Sequence, residues 1–142
     1  GDKGIAVQLA KCCRPVPGDP IVGVIRKGQG LVVHAHDCRS INKAGHERDN
    51  WVDVEWEPGT EESQFEVNIR IVTENRRGVL AKIASVIAEC DSDIQNVNID
   101  DERGIYTTLN FTLQVNNRLH LARIMRGMRR IPEVVRITRT KG

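Results

Sequence analysis

Aromatic side chains are scarce in this chain: two Trp, two Phe and one Tyr among 142 residues. Its core must therefore be aliphatic, built from Val, Ile and Leu. No apolar run approaches the ~20 residues that a membrane-spanning helix needs. The charged-then-apolar start of an exported protein is missing as well. These absences predict a cytoplasmic protein with no membrane contact. The first residue is Gly1 rather than Met, which reads as a piece of something longer. Charge of one sign is also missing: the formal net is +2, too small to imply a nucleic-acid binder by itself. Disulfides are not expected either. Cys12 and Cys13 are neighbours that rarely bridge, and a reducing cytosol favours metal binding or free thiols.

What is present suits a folded protein of one domain or two small ones, with 39% apolar and 28% charged residues. The charge is unevenly placed. Residues 61–116 carry ten acids against five bases, whereas residues 117–142 carry eight bases against one acid. A chain polarised this way can present a basic face even when its total is near zero.

Two modules follow from the pattern of elements. In the first, Ile5–Leu9 reads as a strand, and Pro15, Pro17, Gly18, Asp19 and Pro20 forbid regular structure. Ile21–Ile25 and Leu31–His34 then form a hairpin about the Lys27-Gly28-Gln29-Gly30 turn. Asp37–Ala44 suits a short helix, and Trp51–Trp56 alternates like a half-buried strand. The polar run Pro58–Ser63 marks the boundary, dividing residues 1–58 and 65–142 by a linker at 59–64.

The second module is more regular. Phe65, Val67, Ile69 and Ile71 alternate as a strand. Val79, Leu80, Ile83, Val86, Ile87 and Cys90 recur at helical spacing. Val97 and Ile99, then Ile105 to Val115, read as two strands about a turn at Asp101-Glu102-Arg103-Gly104. Leu121, Ile124, Met125, Met128 and Ile131 form a second helix, ended by Pro132, and Val135 and Ile137 close the sheet. The order βαββαβ puts both helices on one face of an antiparallel ferredoxin-like sheet. The predicted class is therefore α+β: a small β-rich Cys/His module followed by a ferredoxin-like domain. Its free sheet edges invite pairing with a second copy or a partner.

Residues 11–38 concentrate the chemistry. Zinc takes four ligands from thiolate and imidazole, and Cys12, Cys13, His34 and Cys38 supply such a set once the hairpin folds back. The difficulty is that neighbouring side chains on extended backbone point apart, so both cysteines reach one ion only from a sharp turn. His36 is a competing ligand. Two other readings stand beside a metal: buried small cysteines with an unrelated histidine, and a catalytic Cys–His pair that lacks an evident orienting acid. A zinc ion would staple a module with little core of its own.

CCRPVPGDPIVGVIRKGQGLVVHAHDC (12–38) resembles the zinc-finger-like, or ribosome-intersubunit, segment of long RelA/SpoT homologues, the bacterial stringent-response enzymes of (p)ppGpp metabolism. NRRGVLAKIASVI (75–87) and IMRGMRRIPEVVRITR (124–139) resemble the ACT domain that follows it at the family's C-terminus, in detail closer to the bifunctional SpoT type. The resemblance implies that Cys12, Cys13, His34 and Cys38 form that segment's cluster, with zinc as its structural ion. Motifs of the family's hydrolase and synthetase are missing, and His36-Asp37 is an isolated HD pair. The implied role is a non-catalytic regulatory segment, its parent being a GTP/GDP pyrophosphokinase and (p)ppGpp pyrophosphohydrolase.

ACT domains often sense amino acids where the loop after their first strand meets a second copy. By resemblance, Asn75, Arg76, Arg77, Gly78, Val79 and Leu80 form that loop here, facing Gln95 and Asn96. Amides at the helix start suit a carboxylate, although Asn75 and Arg77 replace the acid and proline common in such loops. Arg123, Arg126 and Arg130 share one face of the last helix. With Arg14, Arg26, Lys27 and Arg39 of the first module they make a surface for RNA or an acidic partner, or simply a solvated face. The resemblance implies the ribosome and tRNA as partners, with acyl carrier protein as an acidic alternative, and a signal relayed to upstream domains of the same chain.

Overall fold

The computed structural model describes residues 6–43, 48–101 and 104–141. They form two four-stranded sheets. The first holds β1 (Val7–Leu9), β2 (Ile21–Arg26), β3 (Gly30–Ala35) and β4 (Trp51–Val52), in the order β1-β3-β2-β4. β2 and β3 are the predicted hairpin, with Val22 opposite His34 and Arg26 opposite Gly30. Gly28 and Gly30 turn the chain with φ of 83° and 78°, where a side chain would be strained. β1 lies parallel to β3, Val7 opposite Leu31. Ile5, the expected start of that strand, lies outside the described residues.

Two expectations need correction. Over the described part of Asp37–Ala44, residues 37–43 form turns and bends instead of a helix, and Ala44 lies outside the described residues. Cys38 and Ile41 are both drawn into the interior. The Asn42 amide donates to the carbonyls of His36 (3.0 Å) and Cys38 (2.7 Å), a local turn that competes with the helical ladder. The strand expected over Trp51–Trp56 shortens to Trp51–Val52. Beyond it Trp56 turns to the second module. Its indole donates to the Asp19 carbonyl at 3.1 Å, and its ring meets Phe65 edge-on at 5.8 Å.

After a single 3₁₀ turn at Thr60–Glu62, the second module runs β5 (Phe65–Glu74), α1 (Val79–Glu89), β6 (Asp93–Asp101), β7 (Tyr106–Val115), α2 (Arg118–Arg129) and β8 (Val134–Arg139). The sheet order β6-β7-β5-β8 is antiparallel throughout, the ferredoxin-like arrangement expected. Glu102 and Arg103 of the expected turn lie outside the described residues. The inward rows Val67, Ile69, Ile71 and Leu109, Phe111, Leu113 meet Val79, Ile83 and Ile87 of α1 and Leu121, Ile124 and Met128 of α2. α2 starts where Asn117 accepts the His120 N–H at 2.8 Å, a side-chain N-cap. Gly127 lets the helices approach: a Cβ there would stand 2.8 Å from a Val86 methyl. No helix among the described residues is long and apolar enough to cross a membrane.

Candidate metal centre and ligand surfaces

Cys12 and Cys13 sit in a turn over Lys11–Cys13 closed by the Arg14 N–H on the Ala10 carbonyl at 2.9 Å. Arg14 continues with φ of 44°. This tight corner aims both thiols at one point, which extended backbone would not do. His34 arrives from β3, and Cys38 from the turn that follows it. The four ligand atoms lie within 4.8 Å of one another. Cys12 Sγ is 3.5 Å from His34 Nδ1, 3.6 Å from Cys38 Sγ and 3.9 Å from Cys13 Sγ. Cys13 Sγ is 3.8 Å from His34 Nδ1.

Those separations test the fit of an ion. Zn–S bonds of about 2.3 Å and Zn–N bonds of about 2.0 Å, set tetrahedrally, imply edges of about 3.7 Å between sulfurs and about 3.5 Å from sulfur to nitrogen. Four of the six separations, 3.5 to 3.9 Å, stand near such edges, and all six are within 4.8 Å. A supporting shell is also present: the Ala35 N–H donates to Cys13 Sγ at 3.2 Å, and Ser40 donates to Cys38. Burial pushes the Cys13 thiol up. Burial also opposes ionisation of Cys38, but the bonds from Ser40 and Cys12 prevail and hold it below the usual thiol value. The four side chains can hold a metal ion and suit zinc. His36 is not among the four: it is exposed, with its ring edge-on to Trp51 at 6.5 Å. Lys11 and Arg26 border the solvent side of the cluster, in a cleft of about 400 Å³ shared with Cys12 and His34.

The loop expected to bind a small ligand is a tight strand-to-helix turn. Gly78 caps α1 with φ of 87° and has open space around its α-carbon. Asn75, Arg76, Val79 and Leu80 line a cleft of about 300 Å³ with Ile99, Thr107 and Leu109. Arg77, Gly78, Gln95 and Asn96 are not part of its lining, and Ile99 supplies the β6 wall. Ile99 alternates toward the helices one pair along β6 from Val97, and that periodicity was the signal available for it.

The basic residues fall in separate places. Arg123, Arg126 and Arg130 line a groove between the helices, over Val86, Cys90, Gly127 and Ile131. Arg123 is tied to the Cys90 carbonyl (2.9 Å) and Asp91 (3.6 Å), while Arg126 and Arg130 are exposed. Arg26 and Lys27 stand at the hairpin tip, and Arg39 lines a cleft against the open face of the second sheet. Arg14 departs from that surface: it is half-buried and pairs with Glu66 at 2.7 Å. Sequence reasoning missed Asp19 and Arg139. The Arg139 guanidinium grips the Asp19 carboxylate with two bonds of 2.9 and 2.6 Å.

Residues 1–57 match the RelA/SpoT RIS domain and residues 61–139 the ACT domain. The chain is 36% identical over 141 residues to the bifunctional (p)ppGpp synthase/hydrolase SpoT of Escherichia coli, covering 99% of this chain and 20% of that protein. It is 32% identical to a GTP pyrophosphokinase of Streptomyces coelicolor, covering 97% of this chain and 16% of that one. The crystal structure of the ACT domain from a Chlorobium tepidum GTP pyrophosphokinase, 30% identical, aligns with 54% of this chain and 99% of its own at a TM-score of 0.48. The chain thus spans a fifth or less of the length of these curated relatives. With an RIS domain running directly into an ACT domain, it belongs to the RelA/SpoT family.

Proposed function

We propose that the chain is a non-catalytic regulatory segment of a bifunctional (p)ppGpp synthetase/hydrolase. It binds the ribosome and tRNA, or a protein partner, and relays that state to catalytic domains in the same protein. The division is the one read from sequence: module 1–58, linker 59–64, ACT domain 65–142. A structural zinc ion on Cys12, Cys13, His34 and Cys38 holds the first module's shape. The convergence of three thiols on one imidazole supports this reading over a thiol enzyme, because a nucleophile needs one base and gains nothing from two further thiols. Iodoacetamide labelling of Cys12 no faster than free thiol is the expected result, and rapid labelling would favour the enzyme.

The observation that carries the docking role is the pair Arg126 and Arg130, exposed beside an apolar groove floor. Exposed guanidinium groups suit phosphates or an acidic protein such as acyl carrier protein. Co-sedimentation with ribosomes at graded salt tests it. Arg126→Glu with Arg130→Glu should weaken binding and flatten its salt dependence by a slope of about 1.5, since each phosphate contact contributes about 0.7 to 0.9. Unchanged binding sinks the surface.

A second reading rests on the cleft at Asn75 and Val79, sized for an amino acid. The exposed β6 edge, with Ile94, Val97 and Ile99 partly bare, would close it in a homodimer. Calorimetry against the twenty amino acids tests this, and silence at millimolar ligand retires it.

A further inference from the structure

The residues that follow the two adjacent cysteines do not stay in their own module. Pro15, Val16, Pro17 and Asp19 are buried, and Val16, with no exposed surface, joins the ACT core. The Val16 N–H donates to Asp19 Oδ2 at 2.8 Å, which shapes the loop from within. Asp19 then takes both bonds from Arg139 at the end of β8, and the same guanidinium donates to the Arg14 carbonyl at 3.1 Å. At the loop's other end the Pro17 carbonyl accepts the Arg118 N–H that opens α2, at 2.8 Å. Gly18, with φ of 98°, lies against Arg118, where a Cβ would approach to 3.0 Å. Arg14 reaches over to Glu66 on β5.

An eight-residue path, from Cys12 to Asp19, therefore runs from two thiols of the cluster into the far module. We propose that Arg14–Asp19 is an intramolecular latch, pinned by the Asp19–Arg139 ion pair, through which the state of the Cys12–Cys13 corner sets the order of β8 and the start of α2. Releasing the corner frees the backbone at Arg14, whose carbonyl is one of Arg139's three acceptors. Loss of that acceptor and of the loop's shape loosens Asp19, and the anchored ends of α2 and β8 follow. This rests on the reading of the cluster as a metal site, and the two can fail separately.

The test uses the 142-residue chain, with and without a zinc chelator, beside Asp19→Asn. Hydrogen exchange is followed at the Arg118 amide and along β8, with zinc content measured in every sample. In the unaltered chain, chelation should speed exchange at both places by about tenfold while the inner strands β5 and β7 stay protected. Asp19→Asn should show fast exchange there already, and chelation should add nothing. If zinc leaves and both reporters stay protected, the latch is wrong. If no zinc is found at any stage, the metal reading fails and Asp19→Asn alone decides: wild-type protection in that variant overturns the latch. Should Asp19→Asn not fold, Arg139→Gln takes its place under the same criteria.

Discussion

Ala10, Cys13, Val22, Val24, Val32, Ala35, Cys38 and Ile41 are the buried apolar cluster of the first module. Two are cysteines and two are alanines, and only Ile41 is large. The second module buries Phe111, Met128 and a dense set of Ile, Leu and Val between two helices and a sheet. The contrast is one of means. A module of roughly 60 residues exposes too much surface for apolar burial alone to hold it firmly. Four convergent donors that can hold a metal ion are suited to substitute for missing core. The ACT domain has no such need, because its helices cover one whole sheet face. The first module also borrows from the second: Val16 is buried in the neighbour's core, and Trp56 leans on Phe65.

The sharpest break in that comparison is removal of a ligand. Cys38→Ala should release zinc and unfold the first sheet, β1 to β4, while the helical circular dichroism from α1 and α2 survives. Cys38 is fully buried, so the variant loses both ligand and packing. Zinc content and far-ultraviolet spectra of the same sample check it. A variant that keeps its zinc, or one whose helices melt together with the first module, would erase the distinction between the two means of stabilisation.

A smaller effect tests the borrowing. Val16→Ala should cost about 2 kcal/mol, the combined transfer and cavity cost of two buried methyl groups. The loss should appear in the unfolding of the ACT domain, although Val16 belongs by sequence to the other module. Denaturant midpoints followed by helix signal read it. If only the first module is weakened, Val16 packs there and the shared core is wrong.

The ACT half was the more legible in sequence, and for a physical reason. Alternation along Phe65–Ile71 and helical recurrence from Val79 to Cys90 both come from one buried face, so the pattern in the chain mirrors the packing. Pro58–Ser63 breaks the pattern where one sheet ends and the next begins. The Cys/His set was legible as chemistry, but the corner that lets two adjacent thiols converge depends on Arg14 in a left-handed conformation, which side-chain patterns do not announce. Over residues 37–43 the expected helix failed because burial of Cys38 and Ile41 with the Asn42 bonds outweighed weak helical spacing. The PVPGDP loop read only as a place without regular structure. Prolines reveal local backbone shape, not destination, and Asp19 and Arg139 stand 120 residues apart.

The smallest expected effect concerns how the ACT domain holds its own last turn without help from the first module. Glu133 follows Pro132, and its carboxylate takes a 2.7 Å bond from Lys82 of α1. Its backbone carbonyl meanwhile accepts from Thr73 and Glu74 of β5. The Lys82 bond foremost, then its own backbone N–H and the charge of Arg76, hold the Glu133 carboxyl below its ordinary value of 4.5. A carboxyl depressed in the folded state contributes stability above its unfolded value and loses it as pH falls through the folded one. The ACT domain should therefore weaken on acidification below about pH 4.5, with part of that slope missing in Glu133→Gln. Lys82 is half exposed, so solvent screens the pair and the difference is small. Titrating stability from pH 6 to 3 in both proteins measures it. Because zinc ligands also protonate as pH falls, the readout must be the helix signal in chelator, where the first module no longer contributes. Superimposed acid limbs would mean that the Lys82–Glu133 ion pair forms without contributing to the ACT domain's stability.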